Sequence, residues 1–137
     1  MSEPVRILVV DHEPMVQRVI ARALSAEGFE VECHHDGKAA LEWAVDADPP
    51  FDLVITNGRL PHMLGDELVL RLRERFPRLP VIHTSGDGGQ FRWQFPDDVP
   101  WVAKPFAVEE LVGKVRQLLG TARGERDQTD AVAPRVP

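Results

Sequence analysis

One stretch decides the fold of this chain: FDLVITNGRLP, residues 51–61. Its first half is a short apolar run with the length and composition of a strand that is buried on both faces. Asn57 ends the run, and a turn that contains Gly58 and Pro61 follows. In open parallel sheets, ligands bind where strands end. Asn57 is therefore the first candidate site residue.

The segments on both sides of this run alternate between strand-like and helix-like patterns. The predicted strands are 5–10, 29–33, 51–56, 79–85 and 99–103. Apolar residues at helical spacing predict four helices, which begin near Pro14, Asp36, Asp66 and Val108. Repeated β-α units of this length predict an α/β fold, a doubly wound five-stranded parallel sheet with helices on both faces.

The segment between the fourth and fifth strands lacks a helical pattern. Residues 86–98 contain three glycines and a proline, and each interior glycine costs a helix ~1 kcal/mol relative to alanine. The helix expected here is therefore predicted to be shortened or replaced by a loop. Residues 120–137 have low hydrophobicity and no period, so we expect a folded domain over 1–119 and a disordered C-terminal tail over 120–137.

Composition limits the class of protein. A chain of 137 residues fits one domain, and its net charge of −6 argues against a nucleic-acid surface. The single Cys33 allows no internal disulfide. The chain has neither a signal-peptide pattern nor an apolar run near the ~20 residues of a membrane span. These features predict a cytoplasmic protein without membrane or nucleic-acid partners.

Polar residues stand at the ends of four predicted strands. The first strand is followed by Asp11-His12-Glu13, the third ends in Asn57, the fourth in Ser85, and the fifth is followed by Lys104-Pro105. The carboxyl ends of parallel strands meet at one edge of a sheet. These side chains are therefore expected to form one acidic pocket with a lysine.

This arrangement resembles the receiver domain of response regulators in two-component signalling, over about residues 5–119. The resemblance is carried by Asp52-Leu53-Val54 with Leu60-Pro61, and by Lys104-Pro105-Phe106. It implies a flavodoxin-like fold with strand order 2-1-3-4-5. It also implies a phosphorelay signalling module that is not an enzyme.

The resemblance also assigns positions within the pocket. In the family, an aspartate accepts a phosphoryl group and two further acids help to bind Mg²⁺. Asn57 falls on the phosphoacceptor, Asp11 on the first acid and His12 on the second, which is normally a direct metal ligand. Arg59 falls where a backbone carbonyl completes the metal shell. Three other matches are the switch or pocket residues Ser85, Trp101 and Lys104.

The residue at position 57 changes the chemistry that the family implies. A carboxylate can attack phosphorus, whereas a neutral amide oxygen is a poor nucleophile. Imidazole is also a poor ligand for Mg²⁺. We therefore expect no cofactor and weak or absent Mg²⁺ binding. Asp11 and Lys104 are predicted to pair directly, with Asn57 sharing hydrogen bonds between them.

These observations predict a stand-alone pseudo-receiver that acts by protein–protein contact, without phosphorylation at the usual position. Expected partners are a histidine kinase, a phosphotransfer protein or another regulator, and a homodimer is possible. Aromatic residues between strands four and five either form a partner surface or fold inward over the sheet, because aromatics favour both settings. These residues are Phe91, Trp93 and Phe95.

Two other functions remain open at this point. The chain could be a phosphoaccepting receiver that uses Asp11, or Asn57 after deamidation, which a following glycine favours. The same crevice could instead be a small-ligand or metal-binding module, with His12 and Asp11 or Glu13 as metal ligands. Asn57-Gly58 could also be no more than a turn pair.

Overall fold

The computed structural model describes residues 4–47, 50–86 and 94–129, with side chains through residue 120. Its five strands form one parallel sheet in the order β2-β1-β3-β4-β5, which confirms the predicted topology. The strands are β1 Arg6–Val10, β2 Glu30–His34, β3 Leu53–Asn57, β4 Val81–Ser85 and β5 Trp101–Ala103. The helices are α1 Pro14–Ala26, α2 Gly37–Val45, α3 Gly65–Arg75 and α4 Val108–Thr129.

The helix boundaries follow from local sequence signals. Pro14 occupies the first turn of α1, where its missing N–H costs nothing. Asp36 caps α2, because its carboxylate accepts a hydrogen bond from the Ala39 amide at 2.7 Å. Gly28 follows the end of α1 with a φ of 89°, a left-handed conformation that glycine adopts at little cost.

Two hydrophobic cores lie on opposite faces of the sheet. Successive strand side chains point to opposite faces, so Leu8 and Val10 of β1 pack with α2 and α3, while Ile7 and Val9 pack with α1 and α4. All of β3 is buried. This explains why its apolar residues Leu53, Val54 and Ile55 are consecutive instead of alternating with polar residues.

The connection between β4 and β5 is held against α3 by an arginine. Arg73 donates hydrogen bonds to both carboxylate oxygens of Asp98, at 2.9 and 2.8 Å, and to the Leu79 carbonyl. The hydrogen bond from Arg73 lowers the pKa of Asp98. Within the described part of this connection, residues 86 and 94–100, no α-helix is formed. The rest of the segment for which a shortened or missing helix is predicted, residues 87–93, lies outside the described residues.

Helix α4 continues to Thr129, beyond residue 119, where the sequence predicted the folded domain to end. The disordered tail over 120–137 stays a prediction. Residues 130–137 lie outside the described part. Apolar periodicity detects only a helix that buries one face. The apolar stripe of α4 ends at Leu119, a buried residue, although good helix formers such as Ala122 and Arg123 follow.

No helix among the described residues is long and apolar enough to cross a membrane.

Candidate functional site

The carboxyl ends of the strands bring the predicted polar residues to one edge of the sheet. Asp11 follows β1, Asn57 ends β3 and Ser85 ends β4. Their exposed fractions are 1%, 5% and 2%. Lys104 follows β5, and its side chain is 13% exposed. These four residues are therefore gathered as expected and are largely shielded from water, whereas the predicted pocket residues His12 and Glu13 are exposed.

Asp11 and Lys104 form the ion pair that the sequence predicts. Lys104 Nζ lies 2.8 Å from Asp11 Oδ2 and 3.5 Å from Glu13 Oε1. The other oxygen of Asp11, Oδ1, accepts a hydrogen bond from the Glu13 amide at 2.9 Å. Both oxygens of this buried carboxylate are thus engaged within the protein.

Asn57 makes different contacts from those expected. Its Nδ2 donates a hydrogen bond to the Arg59 carbonyl at 2.8 Å and lies 3.5 Å from His12 Nδ1. The opposite amide orientation would place two acceptor oxygens together, so the Arg59 carbonyl fixes which end is the nitrogen. The prediction that Asn57 bridges Asp11 and Lys104 is therefore wrong.

The loop after β3 is tied to the sheet and to α3 through glycine backbones. The Gly58 amide donates to the Thr84 carbonyl at 3.2 Å, and the Gly65 amide donates to the Gly58 carbonyl at 3.0 Å. A Cβ atom on Gly65 would overlap with the backbone carbonyl oxygen of Asn57. The start of α3 can approach the site this closely only because residue 65 has no side chain.

Replacing Gly65 with alanine is expected to destabilise the protein by about 1–3 kcal/mol, the usual cost of overpacking. The overlapping atom is a buried backbone oxygen, which cannot rotate away as a side chain would. Chemical denaturation of the variant measures this change. Gly113→Ala is the control, because a Cβ atom there meets nothing within 4 Å. A Gly65→Ala variant as stable as Gly113→Ala would contradict the prediction.

The remaining predicted pocket residues lie on or beside the last two strands. The Ser85 carbonyl accepts a hydrogen bond from the Lys104 amide at 2.7 Å, which links the ends of β4 and β5. The peptide bond between Lys104 and Pro105 is cis. Trp101 is partly buried and pairs in register with His83. Ser85 and Trp101 therefore lie on the two strands that lead to Lys104.

His83 is a buried residue that the sequence reading treats as an ordinary strand or surface histidine. It is 1% exposed, and its ring stacks on Phe95 with centroids 3.9 Å apart. Neither ring nitrogen has a hydrogen-bond partner among the described residues. Burial, and then the nearby charge of Lys104, lower the pKa of His83 to about 4. Its position within the predicted fourth strand, next to Val81 and Ile82, was the sequence signal that could have predicted its burial.

Stacking on His83 shows that Phe95 packs inward and does not form a partner surface. Phe95 is 5% exposed and packs into the core formed with α2 and α3. The partner-surface interpretation is therefore wrong for Phe95, because its ring is covered by the protein itself. Phe91 and Trp93 lie outside the described residues.

The donor set does not fit the Mg²⁺ ion that the resemblance implies. Mg²⁺ requires oxygen ligands in octahedral geometry. His12 offers an imidazole, Asn57 directs an N–H group toward the Arg59 carbonyl, and Asp11 is paired with Lys104. Over the part of the chain that the structure describes, no cluster of three or more His, Cys, Asp or Glu residues could hold a metal.

An apolar groove opens beside the ion pair, between α1 and the loop after β5. Its volume is about 520 Å³. Met15 is 72% exposed and Val19 is 47% exposed on its rim. The other lining residues are Glu13, Val16, Gly86, Lys104, Pro105 and Phe106. The site therefore combines a charged centre with an apolar edge that is open to solvent.

Comparison with known proteins agrees with this geometry. The family described as the response regulator receiver domain matches residues 7–116. The probable transcriptional regulatory protein TcrX of Mycobacterium tuberculosis is 36% identical over 123 residues, which are 86% of this chain and 51% of that protein. The response regulator MprA of Mycobacterium ulcerans is 37% identical over 133 residues, which are 94% of this chain and 56% of that protein.

A solved structure supports the fold. The crystal structure of the signal receiver domain of an HD domain-containing protein from Pseudomonas fluorescens Pf-5 aligns with a TM-score of 0.82. The two sequences are 24% identical, and the alignment covers 89% of this chain and 99% of that one. By contrast, the chain spans only about half the length of the two curated relatives.

Proposed function

Since this chain belongs to the response-regulator receiver family of two-component signalling, we propose that it is a pseudo-receiver. It acts through protein–protein contact and does not accept a phosphoryl group at position 57. The observation that carries the proposal is the chemistry of Asn57. A neutral amide occupies the acceptor position at the end of β3, and its nitrogen is already bound to the Arg59 carbonyl at 2.8 Å.

Asp11 is a poor substitute acceptor. A carboxylate attacks phosphorus through a free oxygen lone pair that faces the donor. Asp11 Oδ2 is paired with Lys104 at 2.8 Å, Oδ1 accepts the Glu13 amide at 2.9 Å, and the residue is 1% exposed. Phosphorylation of Asp11 would require both contacts to be broken first.

Deamidation of Asn57 is also opposed by the local geometry. The reaction needs the Gly58 backbone nitrogen to attack the Asn57 side-chain amide. That nitrogen donates to the Thr84 carbonyl at 3.2 Å, and the Asn57 amide is itself hydrogen-bonded and 5% exposed. These contacts support an asparagine that persists in the folded protein.

The proposed function includes weak or absent Mg²⁺ binding. A divalent cation is attracted by uncompensated carboxylates. Lys104 balances the buried Asp11, and the neighbouring Glu13 is largely exposed, with 53% of its side chain accessible. The electrostatics of the pocket therefore support a site that is complete without a metal ion.

The proposed partner is a protein of the same signalling pathway, such as a histidine kinase, a phosphotransfer protein or another regulator. The groove beside Lys104 supports contact with an amphipathic helix, because Met15 and Val19 expose large apolar side chains beside charged groups. A partner bound there would contact the ion pair directly. This would couple partner binding to the pocket without phosphorylation.

Freshly purified protein incubated with acetyl phosphate and Mg²⁺ is expected to show no increase in mass from a covalent phosphoryl group. The physical reason is the missing carboxylate at position 57. Intact-mass spectrometry is the measurement. A receiver domain with an aspartate acceptor, treated in parallel, confirms that the donor is active.

A stoichiometric phosphoryl adduct on unaltered protein would contradict the proposal, and peptide mapping would then identify the modified residue. An adduct on Asp11 would establish the alternative acceptor. An adduct confined to molecules with aspartate at position 57 would establish deamidation. Mapping of protein that has been incubated for weeks measures the second case separately.

A further inference from the structure

The Asn57 amide nitrogen occupies a position between two groups that approach it from different parts of the site. The Arg59 carbonyl lies 2.8 Å from Nδ2, and His12 Nδ1 lies 3.5 Å from it on the loop after β1. We infer that the Asn57 carboxamide is a built-in replacement for the cation, and that it fastens the loop after β3 to the end of that strand. This inference rests on the proposed function at the same position.

The geometry supports this role because a carbonyl oxygen accepts either a metal ion or an N–H group. Mg²⁺ binds carbonyl and carboxylate oxygens as a hard positive charge. The amide N–H offers a partial positive charge to the same Arg59 oxygen, at a normal hydrogen-bond distance. An ion would first have to lose part of its water shell, whereas the amide is already in place.

Lys104 supplies the positive charge that a metal ion would otherwise bring to the pocket. Lys104 Nζ contacts Asp11 Oδ2 at 2.8 Å and Glu13 Oε1 at 3.5 Å. The positive charge that the buried Asp11 carboxylate needs is therefore supplied by a side chain. Three nitrogen donors therefore serve these oxygen atoms: Asn57 Nδ2 on the Arg59 carbonyl, and Lys104 Nζ and the Glu13 amide on the two oxygens of Asp11.

The consequence is regulatory, because the loop after β3 is held whether or not a cation is available. Nδ2 of Asn57 binds this loop at Arg59, and the Gly65 amide binds it at the Gly58 carbonyl at 3.0 Å. The surface that the loop presents is then constant. A partner would recognise one fixed arrangement instead of a metal-dependent one.

The test compares thermal unfolding of wild type, Asn57→Asp and Asn57→Ala, each in EDTA and then in MgCl₂. In EDTA, both variants are expected to unfold about 3–6 °C below wild type, because each loses the hydrogen bond to the Arg59 carbonyl. The MgCl₂ concentration is about ten times the dissociation constant of Mg²⁺ from Asn57→Asp. Under this condition only Asn57→Asp is expected to regain unfolding temperature, by about 3–6 °C. NaCl of equal ionic strength controls for screening.

Two results would overturn the inference. The first is an Asn57→Asp variant as stable as wild type in EDTA, because the amide would then fasten nothing. The second is the absence of a Mg²⁺ response both in Asn57→Asp and in His12→Asp/Asn57→Asp, which restores a second carboxylate. Phosphodonor is not used, so failure here is distinct from phosphorylation of the wild-type protein, which would overturn the proposed function.

Discussion

Replacing Lys104 with methionine is expected to lower the free energy of unfolding by about 3–5 kcal/mol, the usual cost of removing one partner from a buried ion pair. Methionine keeps much of the apolar stem but removes the charge that lies 2.8 Å from Asp11 Oδ2. Asp11 is 1% exposed, so its carboxylate would stay in a poorly solvated position without a counter-charge. Urea denaturation near neutral pH measures the loss.

The double variant Asp11→Asn/Lys104→Met is the matched control for this prediction. It removes both charges, so no uncompensated carboxylate remains, and part of the lost stability should return. The difference between the single and double variants isolates the penalty of the buried charge. A Lys104→Met variant that loses less than about 1 kcal/mol would mean that the pair behaves as a solvent-exposed one.

The second large effect is a loss of stability in mild acid that depends on His83. The pKa of His83 is lowered from 6.5 to about 4 in the folded protein, whereas in the unfolded chain it is near its ordinary value. Between these two values the unfolded state binds more protons than the folded state, so the free energy of unfolding falls as pH decreases. The shift corresponds to about 3 kcal/mol at pH values below 4.

The variant His83→Met tests this contribution, because methionine is apolar and fills a similar space. The stability difference between wild type and variant should be constant above pH 7 and should change by about 3 kcal/mol, in favour of the variant, between pH 6.5 and 4. Other titrating groups cancel in this comparison. Replacement of His35, whose side chain is 71% exposed, provides the control for losing an imidazole from the surface.

A stability difference between wild type and His83→Met that stays constant from pH 6.5 to 4 would contradict the lowered pKa of His83. It would mean that the His83 ring acquires a proton as easily in the folded state as in the unfolded chain. The variant also removes two ring nitrogens that lack hydrogen-bond partners among the described residues. For this reason it should be at least as stable as wild type at neutral pH.

The sequence predicted most of the fold because burial and backbone geometry leave strong local patterns. The consecutive apolar residues at the start of β3 required a sheet covered on both faces. Pro14, Gly28 and Asp36 marked helix ends through their backbone and capping chemistry. The sequence after Leu119 has no apolar stripe, so it did not predict that α4 continues to Thr129. Helix propensity alone is a weak signal where such a stripe is lacking.

The sequence predicted which strand-end residues come together, but it predicted only some of the contacts between them. The pairing of Asp11 with Lys104 followed from opposite charges after two strands, β1 and β5, whose carboxyl ends lie at the same edge of the sheet. The partner of Asn57 could not be derived in this way, because an amide has both donors and acceptors and several were within reach. Which atom it bonds depends on the path of the loop through Arg59.

The sequence by itself determined that a parallel α/β sheet would gather a carboxylate, an amide, a hydroxyl and a lysine at one edge. This property depends on which residue types end the strands, and that is written locally along the chain, whereas the strand order followed from the family resemblance. Only the tertiary structure decided that the Asn57 nitrogen faces the Arg59 carbonyl and that His83 is buried against Phe95. Contacts of this kind depend on sub-ångström placement of groups that are distant in sequence or lie on an irregular loop, and no periodicity records them.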